Sequence, residues 1–532
     1  MSTFHEGSRS ITRQRLPIGI QSFSRLRETD SYYVDKTPLI WDLIERGDHW
    51  FLSRPRRFGK SLLVDTIGTL FAGREDLFRG LAIHDRWDWS VTHPVVRLSF
   101  GGRYGTPEEI EGDIIEQLES VERRYGLMPA TTSDTAPRRL RNLLDRLHHR
   151  TGQPVVILVD EYDRPILDTL HDPARARANR DCLQGFYGII KDSAEHVRFV
   201  FVTGVSMFSM TSPFSGLNNL NDISLDPRFA TLCGYTDADL DTVFAPELDG
   251  LDRDMIRTWY NGYHWLGEEQ LYNPLDVLLL FDSRRFKPYW FETGSPTFLF
   301  DTLKEKSVSP LELEGCLAHE ALVSKFEVED ISAEALLFQT GYLTITDEVR
   351  RGHRTLYRLD YPNRAVRLSL NRSLLQHLGK AAAKATGEGR ALCALLKEND
   401  FTGFARTLKA YLASIPYQWY ATGDLARYEV WYASLLHMAF RSIGVEVRAE
   451  DATSHGRADM VVQLGDQVFV LEFRMADSAD DAGAALEAAV RQMRERGYAD
   501  TYRDRLVHLV AAACGREVRN LMEVRAEQAG IP

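Results

Sequence analysis

Four short apolar runs constrain this chain more than any other feature. Trp50-Phe51-Leu52, PVVRLSF (94–100), PVVILVDE (154–161) and VRFVFVTG (197–204) read as buried strands. Helical stretches separate them. Leu62, Leu63, Thr66, Ile67 and Leu70 recur on a helical period, and further helical segments lie near 107–126, 137–150 and 174–194. Apolar strands alternating with helices give a parallel sheet covered on both faces. Such sheets bind ligands beyond the carboxyl ends of their strands. Gly59, Asp160 and Thr203 all fall at those ends.

The first run leads into RPRRFGKS (54–61). Gly59-Lys60-Ser61 is the tail of the phosphate-loop pattern G-x-x-x-x-G-K-[ST], with Arg54 where the first glycine is expected. A loop of this kind gathers backbone N–H groups and a helix N-terminus around an anion. Its lysine reaches the outer phosphates and its hydroxyl binds magnesium. The tripeptide alone is a weak signal, because a solvated lysine at a helix start has the same letters. VVILVDEYD (155–163) supplies the second half. Asp160 at a strand end can hold magnesium, and Glu161 can orient or deprotonate an attacking water. A buried strand that ends in a polar turn is the competing reading. Thr203 is expected between the two motifs, at the terminal phosphate or the water, unless it is only a turn residue. Arg56 and Arg57 would add charge near the phosphates, unless they are solvated or contact another domain. The expected cofactor-binding set is Arg56, Arg57, Phe58, Gly59, Lys60, Ser61, Leu62, Asp160 and Thr203. Ser61 and Asp160 are its metal ligands and Glu161 its catalytic residue.

A chain of 532 residues is too long for one core. The expected division is 1–245 for the parallel-sheet domain, 246–425 for a largely helical region, and 426–532 for a small α/β domain. Within the middle region, residues 335–369 read as a helix followed by a β-hairpin, a winged-helix-like arrangement. The last part holds a helix (429–444), the strands VEVRAED, ADMVVQL and QVFVLEFRM, a helix near 482–496 and the strand RLVHLVAAA. The five cysteines are scattered and form no C-x-x-C pair, which argues for free thiols in the cytoplasm and against structural zinc. No run approaches the ~18 apolar residues that span a membrane, and the polar N-terminus has no secretory h-region. A net charge of −12 does not exclude nucleic acid, which needs only a local basic patch. RARANR (175–180) and RQMRER (491–496) are compatible with phosphate contacts, and equally with solvated helix faces.

LPIGIQSF (16–23), YYVDKT (32–37), RPRRFGKSLL (54–63), VVILVDEYD (155–163), TGVSMFS (203–209), the segment 214–236, YNGYHW (260–265), PYWFETGSPTFL (288–299) and LLFQTGYLTI (336–345) occur in this order. Together they resemble the bacterial AAA-ATPase-like proteins that carry a C-terminal PD-(D/E)XK nuclease-superfamily domain. The resemblance runs from about residue 15 to about 505. It implies that R-P-R-R-F-G-K-[ST] is an ordinary phosphate loop, so that Arg54 is an expected letter. It also implies a P-loop NTPase sheet, a restriction-endonuclease-like C-terminal domain, and ATP with Mg2+ as cofactors.

In the last domain the resemblance implies a site built from Glu429 at the helix start, Asp459, Glu472-Phe473-Arg474, and Gln492 on the following helix. Asp459 and Glu472 would bind Mg2+ or Mn2+. Their separation fits two strands and a turn, LGDQ, with both side chains at one edge of a small sheet. The family pattern has E-F-K where this chain has E-F-R. Lysine can deprotonate and activate water, whereas arginine stays charged. Two functions stay open. One is an ATP-hydrolysing protein coupled to a nuclease that acts on DNA or RNA. The other is a nucleotide-switched regulatory or scaffold protein whose nuclease-fold module binds without cutting. Assembly into a homo-oligomer is left open as well.

Overall fold

The structure is a computed structural model. It describes residues 13–129, 135–170, 172–207, 219–292, 313–319, 332–352, 354–377, 381–413, 426–453, 456–502, 504–515 and 521–529. Parts of the stretches 203–209, 214–236 and 288–299 lie outside these residues. The chain divides into two compact units, Met1–Gly294 with Gly315–Arg364, and Ser295–Glu314 with Ala365–Pro532. The segment 246–425, expected as one region, is therefore shared between them.

The first unit is organised by strands β1 (His49–Ser53), β2 (Val95–Ser99), β3 (Val155–Asp160), β4 (Val197–Gly204) and β5 (Asn221–Asp222). Their order is β2-β3-β4-β1-β5 and every pairing is parallel. The sequence explains this. All six residues of β3 and all five of β1 are buried, as strands covered on both faces must be. The helix Lys60–Phe71 lays Leu63, Val64, Ile67, Leu70 and Phe71 onto the sheet. Gly68 permits the approach, since a Cβ there would lie 3.1 Å from Leu158 Cδ1. Helices Pro107–Arg124, Ala136–Thr151 and Pro173–Asp192 match the expected segments. Residues 1–35 hold no long apolar run and read from the sequence as a short arm and a turn. Their described part includes a short helix, Phe23–Glu28, and another helix, Thr37–Arg46, follows.

The hairpin is formed by β7 (Thr344–Arg351) and β8 (Arg354–Asp360), preceded by the helix Ala333–Thr340. A third strand absent from the sequence reading, β6 (Cys316–His319), pairs with β8. The second unit carries a sheet β13-β12-β11-β10-β9. Its strands are β9 (Glu446–Thr453), β10 (Gly456–Leu464), β11 (Gln467–Met475), β12 (Leu506–Cys514) and β13 (Leu521–Gln528). β11 and β12 are parallel and the other pairs antiparallel. The helix Ala479–Glu495 joins β11 to β12 and packs Leu486, Ala489 and Met493 against Val461, Val470 and Leu509.

One buried charge stands out in the first unit. Asp276, in the first turn of the helix Pro274–Ser283, is fully buried. Its Oδ1 accepts the Trp290 N–H at 2.7 Å, and among the described residues its Oδ2 has no hydrogen-bond partner. Burial pushes its carboxyl up to about 7. The folded value lies above the unfolded one, near ~3.9. The stability it contributes is therefore complete below the unfolded value and is lost as pH rises through about 7. Asp276→Asn should keep the acceptor and remove this loss. Its unfolding temperature should gain on wild type between pH 5 and pH 8 in thermal scans, and parallel curves would contradict the assignment.

Candidate functional site

The carboxyl ends of β1, β2 and β3 open into a cleft of about 510 Å3. The chain leaves β1 at Ser53 and reaches the helix Lys60–Phe71 through the loop 54–59. Arg57 and Gly59 both adopt positive φ, +68° and +94°. Gly59 caps the helix in this left-handed conformation, which glycine takes without a steric penalty. Arg56, Arg57, Phe58, Gly59, Lys60, Ser61, Leu62, Asp160 and Glu161 all line the cleft. The two motifs expected to meet do meet.

Lys60 is buried and donates through Nζ to the Arg54 and Pro55 carbonyls, each at 2.9 Å. Burial lowers its ammonium below the usual lysine range, and the charges of Asp160 and Cys233 pull it back. Asp160 is 3% exposed, and among the described residues its Oδ1 has no hydrogen-bond partner. Burial raises its carboxyl, while a hydrogen bond from Ser61 and the charge of Lys60 oppose the rise. A buried carboxylate oxygen with no protein donor, beside a serine hydroxyl, is a donor set that suits a hard cation. These residues fit magnesium. Glu161 follows with φ +55°, a conformation uncommon for glutamate. Its Oε2 accepts from Arg164 Nη1 at 2.8 Å.

Thr203 requires a correction. It is fully buried, and its hydroxyl donates to the Leu52 carbonyl on the adjacent strand at 2.7 Å. The side chain is spent inside the sheet and does not line the cleft. The turn after β4 is instead fixed by Asp163, whose carboxylate accepts the Ser206 N–H at 2.6 Å and the Val205 N–H at 3.1 Å. Gly204 makes room for this, because a Cβ there would lie 2.5 Å from Asp163 Oδ1.

The loop is gripped from far along the chain. Arg54 is 1% exposed. Its Nη1 donates to the Ser53 and Ser224 carbonyls, both at 2.8 Å, and its Nη2 to those of Phe229 and Ala230 at 3.4 and 3.3 Å. The guanidinium also stands over the Trp265 ring, 4.3 Å from its centroid. Burial lowers it to about 10. Phe58 meets Tyr263 and Trp265 edge-on, at 4.8 and 5.2 Å. The Arg56 carbonyl accepts from Trp290 Nε1 at 3.1 Å, and the Phe58 carbonyl accepts the Gly234 N–H at 3.1 Å. Gly341, at φ +88°, packs where a Cβ would lie 2.6 Å from Pro55 Cβ. The segments around 234, 260–265, 290 and 341 thus act as clamps on the loop, a role no local pattern could reveal. The sequence reading also left the 16–23 and 32–37 stretches without a contact. Gly19, Ile20, Tyr33, Val34 and Lys36 line the cleft.

In the second unit, Asp459, Glu472, Arg474 and Gln492 come together on β10, β11 and the helix Ala479–Glu495. Glu472 is 2% exposed. Its Oε1 accepts from Arg474 Nη2 at 2.8 Å and from Gln492 Nε2 at 3.0 Å, and its Oε2 from the Asp459 N–H at 3.4 Å. Arg474 Nη2 also donates to Gln492 Oε1 at 2.6 Å, and Asp459 Oδ2 accepts the Phe473 N–H at 2.8 Å. The Glu429 side chain lies outside the described residues. The guanidinium stands where a cation on Glu472 would stand, and it neutralises that carboxylate. These residues therefore do not fit a divalent cation shared by Asp459 and Glu472. Among the described residues of the chain, no group of three or more His, Cys, Asp and Glu side chains is arranged to hold a metal.

Comparison with known proteins agrees with this division. Residues 17–214 match the family model described as "Predicted AAA-ATPase", and residues 427–523 match the PD-(D/E)XK nuclease superfamily. The chain is 51% identical over 524 residues to the "Uncharacterized protein in vnfD 5'region" of Azotobacter chroococcum mcd 1. The match covers 98% of this chain and 100% of that protein. No solved structure matches.

Arg54→Gly writes the ordinary phosphate-loop pattern into the chain, and it should damage the protein. Four carbonyls and the Trp265 face lose their partner, at a cost of about 3 kcal/mol in chemical denaturation. Arg54→Lys should recover less than half of this, since an ammonium cannot fork among four acceptors. Wild-type stability in Arg54→Gly would refute the clamp.

Proposed function

The chain belongs to the AAA-ATPase-like family whose members carry a C-terminal PD-(D/E)XK nuclease-superfamily domain, and from that premise we propose that the first unit binds and hydrolyses ATP. The observation that carries this reading is the pairing of Lys60 and Ser61 with the partnerless Oδ1 of Asp160 in one cleft. Lys36, Arg56, Arg57, Lys60 and Arg164 face that cleft against Asp160 and Glu161, which favours a polyphosphate. The helix N-terminus at Lys60 and the backbone of 56–61 bind the phosphates. Bound magnesium neutralises phosphate charge and orients the leaving group. Ser61 and Asp160 hold it, and Glu161 orients the attacking water.

Lys60→Ala should lower ATP turnover by about 100-fold or more, a loss of roughly 2.7 kcal/mol of transition-state stabilisation. Phosphate release by purified protein measures this, and equal turnover in the two proteins would refute the assignment.

For the second unit, the Arg474–Glu472–Gln492 network favours a nuclease fold that holds a phosphodiester backbone of DNA or RNA without cutting it. Arginine supplies a fixed charge for a phosphate and cannot act as a base. Wild type should leave plasmid and single-stranded DNA intact in Mg2+ or Mn2+. Arg474→Lys removes the guanidinium from Glu472 Oε1, leaving Gln492 Nε2 as a side-chain donor to it, and should tighten Mn2+ binding by about 10-fold in calorimetry, the scale of a change in the groups that support a metal site. Metal-dependent cleavage by wild type, abolished by Asp459→Ala, would overturn this reading in favour of an active nuclease.

A further inference from the structure

Glu161 does not stand alone in the cleft. Arg164, three residues on, donates from Nη1 to its Oε2 at 2.8 Å, and Arg164 Nε lies 3.6 Å from Asp168 Oδ2. Both side chains of the Glu161–Arg164 pair are 33% exposed. Arg164 itself lines the cleft, and among the described residues its Nε has no hydrogen-bond partner. The residues between the two are buried and hydrogen-bonded. Tyr162 is fully buried, with its hydroxyl donating to the Ser206 carbonyl at 3.0 Å, and Asp163 holds the Val205 and Ser206 N–H groups. The two cleft-facing side chains are the partly exposed members of the turn. Glu161 has a positive φ, a backbone conformation that tends to cluster at functional sites.

We propose that Arg164 is a latch on Glu161 that the terminal phosphate of ATP releases. Without that phosphate, the guanidinium occupies the carboxylate that must orient water. An ion pair this exposed is held weakly, so a terminal phosphate, with more charge than a carboxylate, can take the guanidinium from it. Arg164 then contacts the phosphate, and Glu161 becomes available to the water. ADP lacks the group that makes the exchange. Arg164 is thus a positioning residue for Glu161 and the reader of nucleotide state. This rests on the reading of the cleft as an ATP site.

The test is a binding cycle with magnesium and either ADP or the β,γ-imido analogue of ATP, on wild type, Arg164→Ala, Glu161→Gln and the double variant. Arg164→Ala should weaken the analogue about 10-fold and leave ADP within about two-fold, a coupling of ordinary size between linked groups. Glu161→Gln should tighten the analogue when Arg164 is present and not when it is absent, because only then is a latch removed. Arg164→Lys should restore part of the preference for the analogue. Equal weakening of both nucleotides by Arg164→Ala would reduce the residue to a structural role and overturn the proposal. Equal tightening by Glu161→Gln in both backgrounds would also overturn it, since that is simple removal of charge. Wild type that binds neither nucleotide would instead refute the ATP site itself.

Discussion

The guanidinium of Arg54 is the interaction on which the first unit depends. A charge taken out of water is costly unless its donors are all met. Here four carbonyls from residues 53, 224, 229 and 230 receive its two terminal nitrogens, Nε has no hydrogen-bond partner among the described residues, and the Trp265 face covers the group. The arrangement forms only when the segments 224–230 and 260–265 have folded against the end of β1. The same neighbourhood encloses Phe58 and ties down the carbonyls of Arg56 and Phe58. The shape that an ordinary phosphate loop draws from its first glycine is drawn here from long-range contacts. The cleft loop and the protein core are therefore held by the same contacts.

The sheet was legible because each of its main strands is a continuous apolar run and each helix between them keeps its period. Gly59, Lys60, Ser61 and Asp160 were legible because their chemistry is tied to strand ends. Thr203 met the same positional rule and failed it. Position along a strand does not say whether a hydroxyl faces the ligand or bonds the neighbouring strand, as Thr203 bonds Leu52. Arg54 and Phe58 were opaque for a different reason, since their partners lie some 170 to 210 residues further along the chain. The strands β6 and β13 were missed because one is only four residues long and the other, LMEVRAEQ, alternates with charges.

The two candidate sites differ in how their carboxylates are used. Among the described residues Asp160 keeps a buried oxygen without a protein donor, a feature that costs stability. Glu472 has its oxygens engaged by Arg474, Gln492 and a backbone N–H. Arg474, where the family pattern has lysine, stands at the centre of the second site. Its fork reaches both Glu472 and Gln492, so the charge that would draw a metal is already balanced.

The most direct test of the clamped loop as a nucleotide site is amide hydrogen exchange with and without magnesium and ATP. Exchange should slow at residues 56–61, where free N–H groups meet the phosphates, and at 232–235, whose Gly234 N–H holds the Phe58 carbonyl. Unchanged exchange across 56–61 at saturating ATP would contradict the account.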